Sequence, residues 1–325
     1  MQKDKQDHFI KNIEIKNFKC FENFKAEGFG RVNLIGGKNN VGKTAFMEAV
    51  YVNAYAQDIK SFLASLSTIK FMRENLNILQ NELNNNTQKF VEQSNNIFVS
   101  SNINTAHFRI DEDNGIKKYH FKFNKQLIDV NANEFYYDFN IIKNINFIDS
   151  FGLANSEIKE AYLAVQKQDK EQFLNEILHK FDNRIEKFIG GDVAQCRVNG
   201  EWFELTELGD GARHLVSIIS SLYQCADGYL FIDEIENGIH YTNLDKLWEI
   251  ILTISKDQNV QVFATTHSKE CIESFNRVQL KKLEENKDTY YFEMIKNIKN
   301  DKVFMRKLDN NQLEYELTHQ NEFRG

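Results

Sequence analysis

Residues 37–44 read GKNNVGKT, the spacing G-x-x-x-x-G-K-[ST], and this pattern suits the cradling of phosphate. Backbone N–H groups from Gly37 through Asn39, Asn40, Val41 and Gly42 can converge on phosphate oxygens where no side chain blocks the approach, and the helix that follows adds its positive end. Lys43 brings a positive charge to the outer phosphates, and Thr44 brings a hydroxyl for Mg²⁺. A second stretch, YLFIDE, ends an apolar run in Asp233 and Glu234. Such a pair at the carboxyl end of a strand can hold Mg²⁺ through Asp233 and polarise an attacking water through Glu234. Alone, it also reads as a strand followed by a solvated acidic turn.

Two further candidates lie beside these. His267 closes VQVFATTH, either as a satisfied cap or as a contact to a terminal phosphate. Gly209, Asp210 and Gly211 stand immediately before ARHLVSIIS, either an ordinary helix start or a second anion-binding helix N-terminus.

The elements that must carry these groups follow from periodicity. Ile13, Ile15, Phe18, Phe21 and Phe24 recur loosely at strand spacing, and the apolar run 32–35 enters the glycine loop as a buried strand. AFMEAVYVNAYA after Thr44 predicts a helix. From residue 58 to 83, apolar residues at steps of three and four (Ile59, Phe62, Leu66, Ile69, Met72, Leu76, Leu79, Leu83) predict another packed on the core, followed by a polar Asn-rich tract. Asn114-Gly115 and Asn199-Gly200 each join two alternating runs and predict hairpins. Between them, Asp169 and Gln172 in capping-box spacing open a predicted helix with Phe173, Ile177, Phe181, Ile185 and Phe188 on one face, stopping at Gly190. Past Gly200, helices alternate with the apolar strands that end at Asp233 and His267, the order of a parallel sheet with crossover helices. The last stretch, DTYYFEMIKNIKNDKVFMRKLDNNQLEYEL, predicts edge strands joined by Asn and Asp turns.

Composition bounds the partners. The 325 residues carry a formal net charge of −7, which argues against a whole-surface affinity for nucleic acid. Lys296, Lys299, Lys302, Arg306 and Lys307 form the one arguable basic stripe, and interleaved acids make a solvated strand face the simpler reading. Cys20, Cys196, Cys225 and Cys271 stand far apart, without zinc or disulfide spacing. No apolar run reaches the roughly 20 residues that span a bilayer, so the expectation is a cytoplasmic protein without a membrane partner. There is no proline; Gly, Asn and Asp must make the turns.

The order of parts now carries a resemblance. IKNFKCFENF, GGKNNVGKT, LGDGAR, FIDEIENGIHY and ATTHS resemble, in turn, the opening strand, Walker A loop, signature loop, Walker B with D-loop, and switch histidine of ABC-type ATPase heads. The similarity is closer to the RecF, SMC and overcoming-lysogenization-defect group than to transporters. It implies an α/β P-loop head with a mixed sheet, comprising an N-terminal antiparallel lobe with Walker A (1–56), an insertion of helices and hairpins (57–190) and a C-terminal lobe with the other motifs (191–325). It further implies a head-to-tail ATP sandwich in a homodimer or larger homo-oligomer. In that arrangement Gly37, Asn39, Asn40, Val41, Gly42, Lys43 and Thr44 bind ATP, Thr44 and Asp233 hold Mg²⁺, Glu234 is the catalytic base, His267 contacts the γ-phosphate, and Gly209, Asp210 and Gly211 reach across the dimer.

Departures from the group's pattern shape the expectation. Gly209 replaces the transporter signature's serine, Asp210 brings a negative charge where slow hydrolysis would follow, and no Q-loop glutamine is identified. ENKDT at 285–289 lacks guanine-reading spacing, which favours ATP over GTP. DED at 111–113 falls in a hairpin turn and nothing resembling a TOPRIM nuclease follows His267. The expectation is therefore an ATPase of a phage-defence or toxin-like module controlling a separately encoded, nuclease-like effector. The alternatives are a RecF-like repair ATPase, with weak DNA binding, and a transporter subunit.

Overall fold

β1 (Asn12–Phe18) and β2 (Phe21–Glu27) pair antiparallel with Ile15 opposite Phe24. Ile13, Ile15, Phe21 and Phe24 are all buried beneath them, as alternation on a half-covered strand requires. The computed structural model describes residues 8–74, 96–132, 139–281, 287–297 and 301–319. β4 (Asn96–Ser101), β5 (Thr105–Asp113), β6 (Ile116–Phe123) and β7 (Gln126–Asn131) extend the pair into a six-stranded antiparallel sheet, ordered β2-β1-β4-β5-β6-β7. At the β5–β6 tip Asn114 and Gly115 have φ of 50° and 76°, the two positive angles of the tight hairpin turn read from the sequence.

The second six-stranded sheet positions the chemistry. β3 (Val32–Gly37), β13 (Gln261–Thr265), β12 (Tyr229–Ile232), β8 (Ile145–Ile148) and β14 (Thr289–Lys296) run parallel, with β15 (Val303–Leu308) antiparallel at one edge, in the order β15-β14-β3-β13-β12-β8. Its central strands β3, β13 and β12 are buried along their whole length because both faces are covered. Val262 and Ala264 belong to one core, while Phe263 between them belongs to the other. Phe147, Phe231 and Phe263 stand side by side across three strands, with ring centroids 6.1 and 5.6 Å apart, and this ladder fixes the register. On the phenylalanine side lie α1 (Lys43–Tyr55) and α2 (Ile59–Glu74), packed against the antiparallel sheet. On the other side lie α3 (Asn155–Lys167), α4 (Glu171–Phe181), α5 (Asp210–Gln224), α6 (Leu244–Asp257) and α7 (Lys269–Lys281). A small sheet, β9 (Ile185–Gly190), β10 (Ala194–Val198) and β11 (Glu201–Glu204), joins them.

Residues 57–190 thus supply strands to both six-stranded sheets. Phe62, Leu66 and Ile69 of the stripe in α2 are buried; its continuation at Leu76, Leu79 and Leu83 lies outside the described residues. Two expectations are corrected. The helix predicted to run from Asp169 to Gly190 ends at Phe181, its N-cap is Lys170 without a side-chain bond, and it buries Leu174, Ile177 and Leu178 while Phe173 stays exposed. Asp182 is extended and its carboxylate accepts the Arg184 N–H (3.0 Å), so the chain turns and Ile185 and Phe188 fall on β9. Nor is the C-terminal stretch all edge strand. β14 is internal beside β3, and NNQLEYEL forms α8 (Asn310–Thr318). The Asp309 carboxylate accepts the Gln312 N–H (2.8 Å) and the Gln312 side chain accepts the Asp309 N–H (3.0 Å); D-x-x-Q was a capping box in plain view.

Candidate functional site

Parallel strands bring their carboxyl ends to one edge of the sheet, the usual place for a site in an α/β fold. Here β3, β13 and β12 deliver the glycine loop, the Thr265–His267 turn and the acidic pair side by side. Pairing of Ile35 with Thr265, and of Ala264 with Ile232, sets Thr265 next to Asp233.

Gly42 is the N-cap of α1, with φ 106° and no side chain capping it among the described residues, so the first-turn amides keep their donors for a ligand. A side chain at Gly42 would meet the Cys20 sulfur at 2.9 Å, and its φ is one that L-residues avoid. Lys43 folds back over the loop, donating to the Gly37 and Lys38 carbonyls at 2.7 and 3.0 Å. Burial pulls its ammonium below the usual lysine range, opposed by the carboxylates of Asp233, Glu234 and Glu236. The Thr44 hydroxyl donates to Asp233 Oδ2 at 3.0 Å. These oxygens, 189 residues apart in the chain, form the hard donor pair that suits Mg²⁺. Asn39 and Asn40 are exposed on the loop's outer side, where they line a cavity of about 650 Å³ together with Met294, Ile295 and Arg306. The Val41 side chain is core.

The acidic pair is held from β13. Thr265 donates its hydroxyl to Asp233 Oδ1 (2.5 Å) and accepts the Glu234 N–H (2.9 Å). Glu234 has φ 50°, an uncommon left-handed conformation for such a residue, of the kind that clusters at functional sites. Its carboxylate stands 3.7 Å from His267 Nδ1, and Glu236 stands 3.6 Å from the same nitrogen. On the outer flank, Asp233 N–H donates to Ile148 O (2.9 Å). Asp149 therefore occupies the next strand end along, and burial raises its carboxyl above the usual range, with Asp233 adding to the rise and Arg213 opposing it.

Gly209, Asp210 and Gly211 sit apart from this cluster at the start of α5, where Gly209 is the N-cap with φ 88° and Asp210 opens the first turn. With Gly238, His240 and Asp182 they border a cavity of about 340 Å³. Gly211 is glycine for space: a Cβ there would lie 2.1 Å from Gly238 O, so the glycine loop and the turn after Glu234 touch backbone to backbone. One turn into α5, His214 is fully buried with neither ring nitrogen bonded, and burial lowers its pKa to about 4.

Comparison with known proteins agrees with this arrangement. The family described as "AAA domain, putative AbiEii toxin, Type IV TA system" matches residues 32–273, the span from β3 into α7 that contains every site residue read from the sequence. The chain belongs to this AAA-domain family. A second description, "AAA ATPase domain", matches residues 9–52. A Helicobacter pylori protein named "ATP/GTP phosphatase" is 28% identical over 83% of this chain and 88% of its own. An uncharacterized protein of Methanocaldococcus jannaschii is 37% identical over 65 residues, 20% of this chain and 27% of its own. Two solved SMC heads share the fold of this AAA domain. One, bound to the C-winged helix domain of ScpA, has TM-score 0.51 at 12% identity, covering 93% of this chain and 98% of its own. The other, with an extended coiled coil and the C-terminal domain of ScpA, derived from Pyrococcus furiosus, has TM-score 0.51 at 11% identity, covering 96% and 99%. The α/β P-loop head expected from the motif order is the fold observed.

Thr265 and Asp149 were not among the residues singled out from the sequence, and Glu236 entered only as the start of the D-loop stretch 236–240, with no role of its own. Thr265 had a signal, since it precedes His267 on the strand that must lie beside Asp233. Asp149 had none, and the D-loop resemblance gave Glu236 no partner, because only the backbone path reveals what these two acids face.

Proposed function

We propose that this AAA domain is a Mg²⁺-dependent ATPase that works as an ATP-gated switch. The observation that carries the reading is the approach of Thr44 to Asp233 at 3.0 Å at the mouth of the Lys43 loop. In this reading the amides of 37–44 and Lys43 bind the phosphates, and Thr44 and Asp233 hold Mg²⁺, which neutralises phosphate charge when bound. Glu234 takes the proton of the attacking water, and His267, on the same edge, contacts the outer phosphate. Hydrolysis by a relative named "ATP/GTP phosphatase" is consistent with this assignment; the missing guanine-reading spacing favours ATP.

Gly209, Asp210 and Gly211 serve a second subunit's nucleotide, so ATP closes a homodimer. The cavity bordered by this loop shares no lining residue with the one beside residues 37–41, which favours that role over a joint site within one chain. Light scattering of Glu234→Gln tests it. Mass doubles on adding Mg-ATP and stays monomeric for Lys43→Ala; a mass independent of nucleotide in both removes the sandwich.

The biological output we infer is control of a separately encoded effector in a defence or toxin-like module, supported by the family's description. The RecF-like alternative loses ground at its basic stripe. Arg306 pairs with Glu293 (2.7 Å) and Glu316 (3.3 Å), Lys296 pairs with Asp301 (3.1 Å), and Lys307 lies over the Tyr290 ring; Lys299 lies outside the described residues. Any DNA binding is therefore weak and falls steeply with salt. Filter binding between 50 and 200 mM salt checks this, and tight binding at the upper end reverses the order of the two readings.

A further inference from the structure

We propose that Glu236 is a positioning residue that fixes His267 and links it to the glycine loop 209–211. The proposal rests on the ATPase reading for its kinetic consequence, but not for its geometry. Glu236 lies in the turn between the acidic pair and Gly238, with its side chain only 11% exposed. Its Oε1 accepts the backbone N–H groups of both His267 and Ser268 at 3.2 Å and stands 3.6 Å from His267 Nδ1.

A simpler role would be to cap α7, since a carboxylate is favourable at a helix N-terminus. That helix already has a local cap, however. Ser268 Oγ accepts the Cys271 N–H at 3.1 Å, and Thr266 Oγ1 accepts the Ser268 N–H at 3.0 Å. What Glu236 adds is a hold on His267 from another element. The hold is not arranged for stability alone, because Glu236 Oε2 is buried with no hydrogen-bond partner, an unfavourable state for a carboxylate oxygen. His267 Nδ1 is left between two carboxylates, Glu234 at 3.7 Å and Glu236 at 3.6 Å.

The other end of the same turn explains the link. Asn237 N–H donates to Glu234 O (2.8 Å), Ile239 N–H to Glu236 O (2.9 Å), and the Asn237 side chain to Ser150 O (2.5 Å). The turn is a short hydrogen-bonded unit with Gly238 seated on Gly211. Whatever displaces the glycine loop must move this unit, and Glu236 carries the movement to His267. Coupling of this kind travels through packed contacts that are continuous in space.

The test uses the full chain and two readouts. Amide exchange in the nucleotide-free protein reads the clamp directly: Glu236→Ala accelerates exchange at His267 and Ser268, Glu236→Gln, whose amide oxygen still accepts, leaves it near wild type, and Gly211→Ala accelerates it with Glu236 intact. Steady-state ATP hydrolysis reads the consequence: Glu236→Ala lowers kcat about tenfold, in the range that mispositioning by less than an ångström produces, with KM little changed. The same substitution adds nothing in a His267→Ala background. Unchanged exchange at 267 and 268 in Glu236→Ala overturns the clamp, unchanged exchange in Gly211→Ala overturns the link, and multiplicative losses in the double variant overturn action through His267. A wild-type protein that hydrolyses no nucleotide defeats the ATPase reading, while the exchange data still decide the clamp.

Discussion

Glu234→Gln lowers ATP turnover by about 10²-fold or more and leaves ATP bound, the loss expected when a general base is replaced by an isosteric amide. The position of this carboxylate is built from several sides. β12 carries it to the edge of the sheet, Thr265 holds its N–H at 2.9 Å, and the φ of 50° turns its side chain out of line with Asp233. Neighbouring residues therefore take different parts, Asp233 toward the Thr44 hydroxyl and Glu234 toward His267 at 3.7 Å. Glutamine preserves volume and the N–H bond to Thr265 but cannot take a proton from water. Phosphate release under multiple turnover, with nucleotide content measured after gel filtration, checks the prediction. Turnover at the wild-type rate would remove Glu234 from the role of base and shift attention to Asp149, the next carboxylate along the edge.

Much of this site was legible because its chemistry is local in sequence. The loop 37–44 must follow a strand and open a helix, and the flanking apolar runs say that it does. Asp233 and His267 each end an apolar run, and parallel strands leave little freedom over where such ends meet. What escaped reading depends on contacts between distant segments. Glu236 is one acid among several in DEIENG until the chain folds it under His267. Asp149 follows a four-residue strand, INFI, too short for periodicity to separate from a loop. The same limit explains the error after Asp169. Phe181, Ile185 and Phe188 keep helical spacing through the turn at Asp182, and nothing in the apolar pattern marks where a helix hands over to a strand. At the C-terminus the error ran the other way, since the Asp309–Gln312 box outweighs the turn-forming tendency of its asparagines.

The chain's two glycine-rich loops illustrate why residue type alone underdetermines role. Gly42 is required by a backbone angle beside the Cys20 sulfur, whereas Gly211 is required because another backbone lies where its Cβ would be. The first leaves amides free for a ligand; the second joins two loops. We therefore propose the first as the anion site within one chain and assign the second to a partner's nucleotide.

Lys43→Ala abolishes ATP binding or nearly so. The Lys43 ammonium now spends its donors on the carbonyls of Gly37 and Lys38 at 2.7 and 3.0 Å, so it is already poised over the loop and exchanges those partners for phosphate oxygens with little rearrangement. Two charge-assisted bonds at about 1.5–3 kcal/mol each correspond to a loss of roughly 10²- to 10⁴-fold in affinity. Burial disfavours the charge on Lys43, but Asp233, Glu234 and Glu236 oppose that shift, and a triphosphate would oppose it further. Lys43→Arg does not rescue fully, because a planar fork cannot replace a compact ammonium inside a tight loop. Thermal unfolding with and without Mg-ATP provides the measurement. A ligand at 100 times its Kd stabilises the wild type by about 2.7 kcal/mol, and the Lys43→Ala protein should unfold at the same temperature with or without nucleotide. An equal nucleotide-dependent shift in the variant would mean that the phosphates do not lie in residues 37–44, and the assignments of Thr44, Asp233 and Glu234 would fall with that loop.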